Sequence, residues 1–343
     1  MNTAPAFLVM VKWSFVDRSP SRPVSPPIGV FAALAQGFDR IAARPYLILP
    51  PLALDSALWL GPHLGVGVLF RRAALEVAAL AAADPGWADR AGLLHEALVA
   101  TGSRFNLLSA LSSFPLGLPS LMAGTMPPGS PLGPSPVQEL TRGGTIVGLW
   151  LALTIVGLGL GTAFHRSIAR PLPESSTGSS GLRLWAKMLA LAAMVYLGLI
   201  AAGIGTLALA TVASLLLPLL GVGVLFIGLS LAFWGVIYLA FTPHGMVRYQ
   251  LGLFQAMRES INLVRWNLLG TTALVAVLLA VDRLAGLVWL LPDPATWFAG
   301  LALLGHAFVS SMLLAATYVF YTGRREWWQA MRQLAVSPPV SSG

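Results

Sequence analysis

Apolar positions recur at steps of three and four from Leu251 to Asn267 and on to Leu268. Phe254, Met257, Ile261, Val264 and Leu268 fall on one side of a 3.6-residue period, and Gln255, Arg258, Glu259, Asn262 and Arg265 fall on the other. The pattern predicts an amphipathic helix lying along a membrane surface, because an apolar stretch long enough to span begins at once with Leu268. Its apolar side is expected to turn toward lipid or bundle, its arginines toward water and headgroups. An earlier copy stands at Ile28 to Arg44, where a constant offset of 223 pairs Gly29 with Gly252, Phe31 with Phe254, Leu34 with Met257, Phe38 with Ile261 and Ile41 with Val264. Both copies run straight into an apolar stretch.

The apolar stretches predict six spans. Span 1 runs from about Pro45 to Phe70, with Asp55 near its middle and a break at Gly61-Pro62, where the proline ring removes a backbone donor. Span 2 is Gly143 to Phe164; its Gly144/Gly148 and Gly157/Gly161 spacing predicts close approach of another helix. From Met188 to Phe241 there are 54 uncharged residues, too many for one span of about 20, so they form a hairpin (spans 3 and 4) that turns near Thr211 to Pro218. Span 5 is Leu268 to about Leu291, and span 6 is Trp297 to Tyr321. Between spans 1 and 2 lies a mixed segment, 71–142, with helix-like stretches at Arg71 to Ala83 and Trp87 to Ala100 and a Pro/Gly-rich part from Pro115 to Pro136. One further internal match, Pro62 to Phe70 with Pro218 to Phe226 (Pro-x-LGVGVLF), would leave the membrane in its first copy and enter it in its second. It is read as compositional bias.

Composition agrees with a membrane protein. Charged residues make up 10% of the 343 and hydrophobic ones 56%, where a soluble domain carries about 25% charge. The expected fold is an all-α polytopic transmembrane bundle of about six spans, with interfacial amphipathic helices before spans 1 and 5. A single transmembrane domain covers 28–322, with an outer-face insertion at about 71–142, and cytoplasmic tails cover 1–27 and 323–343. The first tail, rich in Pro and Ser, reads as disordered; Phe7 to Val11 is too short for a signal-peptide core.

Net charge is +8, but the basic residues flank apolar runs instead of covering one polar surface, which argues against nucleic acid and for topology determinants. Six spans place 15 Lys and Arg inside and 6 outside; making Phe105 to Met126, uncharged over 22 residues, a seventh span would leave 7 inside and 14 outside. That segment is therefore expected to lie on or dip into the outer face. Both termini are expected in the cytoplasm. Only Lys12 and Lys187 are lysine, and Ala, Leu, Gly and Pro abound, which suggests a GC-rich genome and a bacterial cytoplasmic membrane. There are no cysteines, so thiolate and disulfide chemistry are excluded.

No phosphate-binding loop, zinc-protease motif, nucleophile elbow or dinucleotide fingerprint is present, and the five histidines have no helical ligand spacing. No cofactor or metal site is expected. Ionisable residues at membrane depth are the candidates for function: Asp55, Asp282, Arg283 and His306. Asp55 lies about 15 Å beyond Pro45, where an ionised Asp costs about 2.5 to 3.5 kcal/mol, so it needs a partner. Asp282 and Arg283 lie about 21 to 23 Å beyond Leu268, and His306 about 14 Å from Trp297. Arg283 is the expected partner by charge and His306 by depth, either of which makes neighbours of span 1 and span 5 or 6. The cluster reads either as a lock between spans or as a proton or substrate site in a polar cavity.

The amphipathic segment and the span start carrying Leu49, Pro50, Pro51 and Asp55, followed later by A-x-R-E-S-x-x-L-V-R-x-N at 256–267 and another span, resemble a bacterial group. Its members are uncharacterised six-span membrane proteins similar to the membrane domain attached to some glycerophosphoryl diester phosphodiesterases. The resemblance covers about 28–70 and 251–322. The His-Arg-Gly opening of the phosphodiesterase barrel is absent, since His165 and Arg166 are followed by Ser167, so that activity is not implied. The expected role is a non-enzymatic membrane protein that associates with lipids or with other membrane proteins. The alternative is a transporter or permease for a small solute or lipid, coupled to an ATPase docked on the interfacial helix. The sequence does not indicate an oligomeric state.

Overall fold

Residues 26–336 are described in the computed structural model, apart from 84, 85, 87, 114, 115, 125, 128 and 171–179. The expected tail at 1–27 lies almost wholly outside the described residues. The interfacial helix α1 (Val30–Ala42) ends in a 3-10 turn, Pro45–Ile48, and then α2 (Leu49–Leu60), whose Pro50 sits in the first turn, where a missing N–H leaves no gap. Gly61 is extended, ahead of Pro62, and the helix stops there. Span 1 is thus not a continuous helix to Phe70: Pro45 to Leu60 reaches only about 25 Å, short of a hydrocarbon layer of about 30 Å. The chain continues as β1 (His63–Gly65), then as the helices α3 (Gly67–Ala83) and α4 (Ala88–Arg104), which pack chiefly on each other.

A largely non-helical stretch follows, with one 3-10 turn at Leu107–Leu111, ending in β2 (Val137–Glu139), which pairs in parallel with β1. Beyond it come α5 (Gly143–Ala169), α6 (Gly181–Leu216), α7 (Pro218–Leu239), the short α8 (Thr242–Arg248), the interfacial α9 (Leu253–Trp266), α10 (Leu268–Trp289) and α11 (Phe298–Val336). Five of these helices, α5, α6, α7 with its continuation α8, α10 and α11, are long and apolar enough to cross a membrane; Pro45 to Leu60 is a shorter apolar helix. The protein is an all-α, multi-pass membrane bundle.

The hairpin turn lies at Leu217, which is extended because Pro218 follows it. Gly228 faces Thr206 and Gly221 faces Ser214, so α6 and α7 run antiparallel. α11 is the central helix: it packs on α1, α2, α5 and α10, and Ala307, Ala316, Tyr318 and Phe320 are fully buried. The helix continues past Tyr321, the expected end of span 6, to Val336.

The two interfacial helices share their burial pattern as well as their sequence. Ala33, Gly37 and Ile41 are buried in α1, and the positions 223 later, Ala256, Ser260 and Val264, are buried in α9. Phe31 and Phe254 are 77% and 76% exposed, Phe38 and Ile261 50% and 40%. Each helix therefore has three sectors: one of small and branched residues against the bundle, one apolar and outward, and one polar. Gly29 and Gly252 hold the same extended N-cap position. The partners differ, since α1 lies along α11 while α9 packs on α7 and α8.

Candidate functional site

Asp55 projects from the middle of α2 and is completely buried. Both its oxygens act as acceptors, and each meets two groups. Oδ1 accepts from Ser120 Oγ at 2.5 Å and from the backbone N–H of Met122 at 3.0 Å. Oδ2 accepts from the backbone N–H of Leu121 at 3.1 Å and lies 3.2 Å from His306 Nδ1. With the proton on Nδ1, His306 is the fourth donor. Ser120 Oγ also accepts from Ala123 N at 2.9 Å, so four consecutive residues are organised around one carboxyl group.

Those residues belong to the stretch between α4 and α5, and the structure defines its path. Asn106 bridges to Gly65, and Val137 pairs with His63, so the stretch leaves from and returns to the same small sheet. Buried Asn106 fixes the departure: its Oδ1 accepts from Leu64 N at 3.1 Å and from Leu108 N at 3.2 Å. In between, the chain reaches far along α5. A Cβ at Gly157 would lie 2.3 Å from the Leu111 carbonyl oxygen, and one at Gly161 would lie 2.3 Å from that of Leu116 and 2.5 Å from Gly117 Cα. Gly161 is about 27 Å along α5 from Gly143. The stretch thus enters the bundle along most of α5 and returns, a re-entrant loop with respect to the helices. Backbone without helical hydrogen bonds is tolerated at such depth only when enclosed by protein that satisfies it. Asp55 and the α5 glycines provide that enclosure. Gly157 and Gly161 admit a loop and not the helix their spacing predicts, and a Cβ at Gly144 or Gly148 would meet nothing.

Of the four candidates, the structure brings Asp55 and His306 together and leaves the others apart. Arg283 is exposed on α10 and Asp282 half-buried beside it, and neither makes an ion pair among the described residues. α2 packs on α11, so the partner of Asp55 is the one at equal depth. Sequence reasoning missed the backbone donors of Leu121 and Met122 and the hydroxyl of Ser120. The available signal was Pro119, which prevents a regular helix there and leaves the following amides in need of acceptors.

A second polar group, unread in the sequence, lies further along α11. His165 Nδ1 is 3.0 Å from the Tyr318 hydroxyl, and His244 Nε2 is 2.8 Å from Thr317 Oγ1, with the two imidazole rings 6.4 Å apart. Next to them Glu259 accepts from Tyr321 OH at 2.5 Å and from Arg325 Nε at 2.6 Å, joining α9 to α11. At the opposite end Trp59 Nε1 donates to the Pro294 carbonyl at 2.8 Å and its ring meets Trp297 edge-on. Among the described residues no three His, Asp or Glu side chains are grouped closely enough to hold a metal ion.

The arrangement at Asp55 can hold a loop in place and can pass a proton between Asp55 and His306, and a sizeable groove lies elsewhere. It is an apolar groove of about 630 Å³ between α6 and α7, lined among others by Gly198, Ala202, Gly205, Ile227 and Gly228. Comparison with protein-family models, with curated proteins and with solved structures found no match for the chain.

Proposed function

We propose that the protein is a non-enzymatic component of a bacterial cytoplasmic membrane, with both termini in the cytoplasm, whose role is to associate with lipids or with other membrane proteins. The α6–α7 hairpin carries this reading. Its bundle contacts come from the ends near Leu184 to Val195 and Trp234 to Phe241; from Leu197 to Phe233 only Ala210 and Gly221 are buried, and Gly221 meets the hairpin's own Ser214. The most apolar window of α7 is 11% buried, against 44% for α11. A hairpin so little engaged by its own chain offers two long apolar faces and a small-residue groove, the kind of surface at which membrane helices and acyl chains pack closely. The Asp55 carboxyl group, by contrast, has internal donors for both oxygens and needs no substrate to satisfy it. The resemblance of 28–70 and 251–322 to the six-span bacterial group belongs to the same proposal, without phosphodiesterase activity.

Purification in mild detergent followed by mass spectrometry of proteins and lipids tests the reading. Recurrent copurification of membrane proteins or a lipid class is expected, and its loss when Gly198 and Gly205 are replaced by Leu. A chain recovered alone and lipid-free would refute it. One observation favours the permease alternative: the half-span α2 meets a re-entrant loop at a buried Asp, and broken helices of this kind accompany transport sites in other membrane proteins. A recurring ATPase partner would support that alternative.

A further inference from the structure

Where α1 and α8 end, arginines gather without matching acids among the described residues. Arg248, the last residue of α8, is 3% exposed, yet its Nε and Nη1 are buried with no hydrogen-bond partner. Arg40, in the last turn of α1, has a buried Nη1 in the same condition. Val247 packs into the cluster that includes Ile41 and Ile168, so the ends of α8, α1 and α5 converge. Burial, and after it the charges of Arg44 and Arg248, hold the Arg40 guanidinium below its ordinary pKa, which puts Arg40 within the field of both others. Glu259 does not relieve them, being engaged by Tyr321 and Arg325, and Asp39 is exposed. Arg325, paired with Glu259, lies 3.7 Å from the Tyr249 ring centroid, and Arg248 lies 5.5 Å from the same ring.

Buried guanidinium N–H groups without acceptors are costly, and three like charges sharing one region add to the cost; a bound anion relieves both. We propose that Arg40, Arg44 and Arg248 form a binding site for a phosphate-bearing anion at the membrane boundary. The forked N–H donors of arginine match phosphate oxygens in pairs, which a point-charge ammonium does not. The position, between an interfacial helix and the ends of two apolar helices, suits the phosphate of an anionic lipid headgroup, and a soluble phosphate compound presents the same chemistry. The site is separate from the α6–α7 groove, so failure at either leaves the other standing.

The test uses the purified full chain in non-ionic detergent at constant ionic strength. Melting temperature is followed against short-chain phosphatidylglycerol, short-chain phosphatidylcholine, glycerol 3-phosphate and inorganic phosphate, since a ligand of the folded state raises it saturably. The expected result is a saturable rise with phosphatidylglycerol, or with the two soluble phosphates, and little with phosphatidylcholine. Arg248→Gln should weaken the apparent affinity at least tenfold, Arg248→Lys less, and Arg90→Gln, on exposed α4, not at all. A response confined to phosphatidylglycerol identifies a lipid headgroup; a response to glycerol 3-phosphate or inorganic phosphate identifies a soluble ligand. If Arg248→Gln does not yield folded protein, Arg40→Gln and Arg44→Gln carry the same test. The proposal is overturned if no probe shifts the wild-type chain, if phosphatidylcholine acts as strongly as phosphatidylglycerol, or if the arginine variants keep wild-type affinity.

Discussion

Replacing Asp55 with Asn changes one oxygen into an NH2 group while leaving size and shape nearly unchanged. In either orientation that NH2 faces a backbone N–H, of Leu121 or of Met122, because each carboxyl oxygen accepts from one of them. The second partner on each side can adapt: His306 by moving its proton to Nε2, and Ser120 by rotating its hydroxyl. The backbone amide cannot. A buried N–H left without an acceptor costs about 1–3 kcal/mol. That cost falls on the re-entrant loop, whose other attachments include the close contacts with α5 and the Asn106 bonds at its start. At 1.4 kcal/mol per factor of ten, local opening of the loop should become roughly five to one hundred and fifty times more frequent. Hydrogen exchange measured by mass spectrometry over peptides covering 116–124 reports this directly, and α11 peptides serve as the internal reference. Asp55→Ala, which leaves all four donors unmet, should exceed Asp55→Asn. Unchanged exchange over 116–124 in Asp55→Asn would show that the carboxyl group does not hold the loop.

Gly161→Ala places a Cβ 2.3 Å from the Leu116 carbonyl oxygen and should destabilise by about 1–3 kcal/mol with faster exchange over 111–118, whereas Gly148→Ala, in open space, should be neutral or stabilising. Equal thermal stability of the two variants would contradict the loop packing. Gly37→Ala sets a Cβ 2.7 Å from Met312 O and 2.8 Å from Ala316 N and should loosen α1 from α11, while Gly252→Ala, with nothing within 4 Å, should change melting little. Single cysteines on this Cys-free chain at Arg90 and Leu132, which stand before and after the part of the loop that meets Asp55, should label from one side of the membrane, and one at Leu182 from the other. Labelling of Arg90 and Leu132 positions from opposite sides would make the stretch a crossing segment.

Much of the architecture was legible because membrane segments are selected by length and apolarity, both properties of the sequence alone. Spans 2 and 5 match α5 and α10 closely, and the hairpin had to exist because 54 uncharged residues exceed one crossing. The repeat was legible for a similar reason: a helix at an interface must sort its residues by angle, and α1 and α9 sort theirs alike, down to the buried Gly37 and Ser260. Where neighbours decide, the sequence was silent or misleading. Pro62 to Phe70 and Pro218 to Phe226 share Pro-x-LGVGVLF, yet the first is a strand entering α3, held by β2, and the second is the opening of α7.

The polar centre divides in the same way. That a buried Asp55 needs donors follows from its place in an apolar helix, since the cost of an unmet carboxyl group is independent of the fold. Which donors it finds depends on what the chain brings to its depth. Arg283 has the charge but lies on α10, while His306 lies on α11, against which α2 packs. Leu121 and Met122 contribute through their backbone, which carries no sequence identity. The arginines at the ends of α1 and α8, 208 positions apart at Arg40 and Arg248, show the limit most plainly. Their identity and number are fixed by the sequence, but their closeness and their unmet N–H groups exist only once α8 is folded against α1 and α5, because contact between distant segments is a property of packing and not of local pattern.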